Sequence, residues 1–118
     1  MKLLFINEEH EKFFWDNINH NKKDEYLAAL VYALGIDITT RENFDAIYDR
    51  KGHLIKLECL KDKWQTNLSK DLTKFAFYLW NGRKYNLDSI IKSNLLEYSV
   101  QAFFILYERY DLEINIKH

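Results

Sequence analysis

The sequence predicts a mainly α-helical fold: a single-domain bundle of four main and two short helices, with a minor two-stranded β element. Three observations carry this expectation. Apolar residues recur at helical spacing in Leu27-Leu30-Val31-Leu34 and again in Leu72-Phe75-Ala76-Leu79, which lays one side of each segment against a core. Short polar residues able to accept hydrogen bonds from free helix amides precede the candidate helices: Asn7, Thr39 or Thr40, Thr66 and Asn94. Proline is absent and glycine occurs three times, so little interrupts a helical chain.

Taken in order, the first helix starts at Asn7. Glu8, Glu9 and Glu11 fall in its first turn, where the helix dipole favours anions. Phe13, Phe14 and Ile18 give it an apolar side, and Asn19-His20-Asn21 ends it. The second helix runs from about Asp24 to Leu34, with Gly35 as its C-cap. The third is expected from Arg41 to Tyr48, capped by Thr39 or Thr40, with Phe44, Ile47 and Tyr48 inward. Asp49-Arg50-Lys51-Gly52 is a turn, followed by HLIKLE as a short strand and one or two helical turns from Glu58 to Trp64. Thr66, Asn67 or Ser69 caps the next helix, which closes at Gly82. It carries Phe77, Tyr78 and Trp80 outside its Leu72-Phe75-Ala76-Leu79 stripe, so it is apolar nearly all round. Asp88 starts a short turn. Asn94 precedes a long helix from about Leu95 to Tyr110. The closing LEINIKH alternates apolar and polar residues, the period of a strand, and is expected to pair with HLIKLE or with KLLFI.

Length and charge limit the function classes. A chain of 118 residues suits one domain with a sizeable core. The net charge of −1 supplies no global field for nucleic acid or anionic lipid. No stretch is long and apolar enough to span a membrane, and the apolar run Leu3 to Ile6 is too short for a signal peptide. Cys59 is the single cysteine, which excludes an internal disulfide or a cysteine-based zinc cluster and points to the cytoplasm.

No motif assembles a catalytic set. His10, His20, His53 and His118 lack the spacing that puts two ligands on one helical face, so no metal is expected. Cys59 lies between Leu57 and Leu60 with no base nearby and reads as a buried thiol. No glycine-rich phosphate loop is present. No cofactor follows, and the expectation is a protein that is not an enzyme. The segment from Asp24 to Asp49 has a helix-turn-helix outline, with Arg41 as its one base-reading candidate. Glu42 and Asp45 beside it would face phosphates and repel them, so DNA binding is the alternative reading.

The strongest compositional signal is aromatic. Rings make up 16% of the chain, more than a core of this size needs. The expectation is that part of them is exposed as a partner surface, with Trp64, Phe77, Trp80, Tyr107 and Tyr110 as the residues that carry it.

The blocks FINEEH, KKDEYLAALVYALG, TTRENFDAIYD, the ECL segment, WQTNLSK and FAFYLWNG span most of residues 5 to 82. They resemble a family of small uncharacterised proteins, a domain of unknown function, from Gram-positive bacteria, their phages and mobile elements. The resemblance implies a small helical domain of the bacterial cytoplasm and supplies no catalytic residue. A phage connection implies a host protein as partner, such as a defence nuclease, with this chain as its anti-CRISPR-like inhibitor. Self-association as a homodimer through the same rings is a second arrangement.

Overall fold

The computed structural model describes residues 3–19 and 21–108, the last two by their backbone alone. Helix α1, Glu8–Asn17, begins where Asn7 Oδ1 accepts the His10 amide at 2.8 Å. Helix α2, Glu25–Leu34, begins where Asp24 accepts the Leu27 amide at 3.0 Å. Both starts follow the sequence: a short carbonyl side chain takes an amide that the helix leaves unpaired.

Helix α2 forms the centre of the fold. Its eight residues Leu27 to Leu34 are all buried, with Tyr26 outside. The apolar stripe predicted one packed face; the alanines at 28, 29 and 33 complete the others. Small side chains let neighbouring helices approach on every side. Each large aliphatic side chain buried this way stabilises the fold by roughly 1.5–3 kcal/mol. Tyr32 is wholly buried too, and its hydroxyl donates to the Leu4 carbonyl, fastening the N-terminal segment to α2.

Two corrections concern the middle of the chain. The single helix expected over Arg41–Tyr48 is two: α3, Ile38–Glu42, and α4, Phe44–Ile47. Asp37, not Thr39 or Thr40, caps α3. Thr40 is buried inside it and donates its hydroxyl to the Leu34 carbonyl. The break falls at Asn43, whose side-chain amide donates to Thr39 O at 2.8 Å and competes with the backbone for that carbonyl. Secondly, HLIKLE does contain a strand, and its partner among the described residues is the preceding segment, which the sequence pattern does not place in a strand. Strand β1, Tyr48–Asp49, pairs antiparallel with β2, Leu54–Ile55, in register Tyr48 to Ile55. The LEINIKH segment lies outside the described residues.

A 3-10 turn over Leu57–Lys61 leads to α5, Asn67–Asn81. Thr66 and Ser69 form a reciprocal capping box: the Ser69 amide donates to Thr66 Oγ1 at 3.0 Å and the Thr66 amide to Ser69 Oγ at 2.7 Å. Gln65 supports it, accepting the Ser69 hydroxyl and donating to Cys59 O. The helix ends at Gly82, which is left-handed at φ +74°. Helix α5 packs along α2, and this pair is the principal contact of the fold. Helix α6, Asp88–Ile91, and helix α7, Leu96–Phe103, close it. The long last helix expected from Leu95 instead changes at Phe104 to a π-helical turn running to Glu108. Asn94 does not cap α7, whose start has no side-chain cap bond.

Candidate functional site

The aromatic residues pack largely against one another. Phe5, His10, Phe14 and Tyr32 form one cluster, with ring centroids 4.6–6.1 Å apart. Phe13, Phe44, Tyr48 and Trp80 form a second chain of contacts at 5.3–5.7 Å. This arrangement corrects the expected surplus: among the described rings, Tyr26 alone is mostly exposed. The other large apolar residues that are as exposed are aliphatic, such as Leu54, Ile38 and Ile91.

The predicted partner residues separate accordingly. Phe77 is a correction: it is 0% exposed, because α5 is covered on the side outside its predicted stripe as well. Trp64 is half-buried, and its Nε1 donates to the Asp62 carboxylate at 2.9 Å, which anchors the turn before α5. Trp80 is half-buried with an edge against Tyr48 at 5.5 Å. The side chain of Tyr107 and the whole of Tyr110 lie outside the described residues.

Trp80 belongs to a groove of about 410 Å³ at the C-terminal end of α5. Tyr78, Leu79, Trp80 and Gly82 line one side, Tyr26 from the start of α2 another, and Leu106 a third. Helix α2 places Tyr26 there because the residue stands one position before its buried run. The sequence contained that signal, since Tyr26 precedes the Leu27-Leu30-Val31-Leu34 stripe, but the count of rings drew attention to the late helices instead. A groove of this kind offers large rigid apolar faces and a phenol hydroxyl, with little side-chain entropy to lose on contact.

The titratable candidates are mostly structural. His10 is fully buried: its Nδ1 accepts the Ile6 amide at 3.2 Å and its Nε2 donates to Tyr32 O at 2.9 Å. Burial, and to a lesser degree the Arg41 charge, holds its pKa down to about 4. Cys59 is also buried, and its thiol is pushed up to about 12, first by burial and then by Asp62 and Glu58. A thiol held protonated in this way is no nucleophile at neutral pH. Among the described residues no three His, Cys, Asp or Glu side chains are grouped to hold a metal. Arg41 is half-buried and donates to Gly35 O at 2.7 Å, so it ties α3 to the end of α2.

A family profile matches residues 1–117, nearly the whole chain. The chain belongs to DUF6075, a family of unknown function. No curated protein and no solved structure matches it. Membership in DUF6075 therefore assigns no activity. No helix among the described residues is long and apolar enough to cross a membrane.

Proposed function

We propose that the protein is a non-enzymatic protein-binding domain, and that its partner surface is the groove framed by Tyr26, Tyr78 and Trp80. The observation that supports this reading is Tyr26. It is 54% exposed in a chain whose other described rings are at least half-buried, and it stands beside a half-buried tryptophan. Tyr and Trp in such a setting are the residue types that carry most interface energy. The partner we favour is a bacterial defence nuclease in the host cytoplasm, with this chain as its inhibitor. That choice rests on the resemblance to phage and mobile-element proteins. The DNA-binding alternative has less to recommend it: Arg41 is already hydrogen-bonded to Gly35 O, and α3 is a five-residue helix.

The test is partner capture with the chain produced in its native host. Tyr26→Ala touches an exposed side chain and leaves the fold intact, and Leu57→Ala, exposed elsewhere, is the control. Loss of a specific partner in Tyr26→Ala but not in Leu57→Ala, at a cost of about 2 kcal/mol or more in affinity, supports the reading. Equal capture by both variants overturns it. A duplex-DNA gel shift at two salt concentrations, with Arg41→Ala beside the parent, tests the alternative.

A further inference from the structure

A second cleft, of about 400 Å³, lies between the α1–α2 junction and the β1–β2 hairpin, distinct from the Tyr26 groove. Its apolar wall is Ile18, Leu27 and Phe44, and its polar wall is Lys22, Tyr48, Arg50 and His53. The volume falls in the range of small-ligand sites, and an apolar wall with a few convergent polar groups is their usual composition.

The charges on the polar wall are unequal. The one carboxylate lining the cleft, Asp24, is already used to cap α2, accepting the Leu27 amide. Lys22 has no ion-pair partner among the described residues. Arg50 gives Nε to Asp45 at 2.8 Å and lies over the Phe44 ring at 4.9 Å. Its two Nη groups donate to nothing among the described residues. A guanidinium held over a ring, with its two Nη groups still open, is arranged to meet an oxyanion.

His53 adds an independent observation. It is the one non-glycine residue at positive φ among the described residues, at +54°. A side chain there is strained where glycine would be relaxed, and such strain concentrates at sites that use the side chain. Its Nδ1 is 3.1 Å from the Tyr48 hydroxyl. Burial, with Asp24 and Asp49 near, raises the Tyr48 pKa, so the phenol keeps its proton beside the ring. With Nδ1 engaged by the Tyr48 hydroxyl, Nε2 is the ring nitrogen with no hydrogen-bond partner among the described residues, which leaves it to a ligand.

We propose that this cleft binds a small oxyanion carried on a planar apolar body, with Lys22, Arg50 and His53 holding the anion and the apolar wall of Ile18, Leu27 and Phe44 flanking the body. The probes are phenyl phosphate, benzoate and inorganic phosphate, titrated into the full chain at low ionic strength by calorimetry or by NMR shifts. At least one aryl anion binds, and inorganic phosphate binds about tenfold more weakly because it leaves the apolar wall bare. Whichever aryl anion binds more tightly distinguishes a phosphate ester from a carboxylate as the natural group. His53→Gly removes strain and therefore folds at least as well as the parent, and Lys22→Gln changes an exposed residue. Each weakens aryl-anion binding about tenfold. Absence of binding by both aryl anions at roughly 10 mM, or binding unchanged in both variants, overturns the proposal. Tyr26→Ala does not touch this cleft, so the two sites stand or fall separately.

Discussion

Burial strips solvent from His10, and the cost falls on its charged form, which is why its pKa drops from 6.5 to about 4. Protonation would also remove the acceptor for the Ile6 amide at Nδ1. The pH dependence follows by linkage. Above pH 6.5 folded and unfolded chains both carry the neutral ring, and the full contribution to stability is present. Between 6.5 and about 4 the unfolded chain takes up a proton that the folded chain refuses, so stability falls with pH. The loss totals about 3 kcal/mol once pH is below the folded value, at 1.36 kcal/mol per unit. The measurement is an NMR titration of the imidazole, with urea melts of the parent and of His10→Gln at pH 7 and pH 4. A ring titrating near 6.5 in the folded chain would refute the account. Cys59 supplies a second residue-scale prediction. With its thiol buried and its pKa near 12, a disulfide reagent such as DTNB leaves the native chain unmodified over a time in which the urea-unfolded chain reacts fully. Rapid labelling of the native chain would show the site to be open.

At the scale of elements, the two helix-ending glycines serve different purposes, and mutation separates them. Gly35 is right-handed at φ −78°, so the backbone does not require glycine. Space does: a Cβ there would sit 2.6 Å from His10 Cδ2 and 3.0 Å from Phe13 Cδ2, where α1 crosses the end of α2. Gly82 has nothing within 4 Å of its would-be Cβ, but its left-handed φ demands glycine. Gly35→Ala therefore costs about 1–3 kcal/mol by overpacking, together with a shift of the His10 ring resonances. Gly82→Ala costs about 1 kcal/mol and leaves those resonances in place. Thermal melts with ring NMR of both variants check this, and a moved His10 in Gly82→Ala would contradict it. The sequence located both glycines at helix ends, it located the cap Asn7, and it narrowed the α5 cap to Thr66, Asn67 or Ser69, because those effects act within one turn of chain. It could not show that Gly35 meets His10, a contact across 25 residues. The break at Asn43 was hidden for the same reason: it brings Phe44 against Phe13, a distant ring. The strand in HLIKLE was readable from its pattern, whereas its partner, Tyr48–Asp49, straddles the expected end of the third helix and the turn after it, and the true helix end is Ile47.

For the whole molecule, the arrangement of rings and aliphatic groups follows from one element. Helix α2 is in contact with α1, α5, α7 and the π-helical turn that follows α7, so four parts of the chain share it as their common core. The composition suggested more aromatic surface than a core could hide. The structure hides most of it by stacking ring on ring around this helix, which places exposure at Tyr26, where α2 emerges. A count of rings gives their total area but not how they overlap, and that overlap sets where the expected site residues lie: Trp80 at a groove, Phe77 inside. The same architecture predicts a hierarchy of opening. Amides in the middle of α2, from Leu30 to Leu34, are reachable by water only when several neighbours leave together, so their exchange reports global unfolding. Amides in the two-residue strands β1 and β2, and in the four-residue α6, have few neighbours and open locally. Hydrogen exchange at increasing sub-denaturing urea separates the two classes: the α2 amides carry the full denaturant slope, and the hairpin and α6 amides show almost none. Leu30→Ala, at a fully buried position, should lower the α2 protection by about 2–5 kcal/mol while leaving local exchange in the hairpin unchanged. If α2 amides exchanged faster than those of the hairpin, or without denaturant dependence, α2 would not be the element on which the rest of the fold is built.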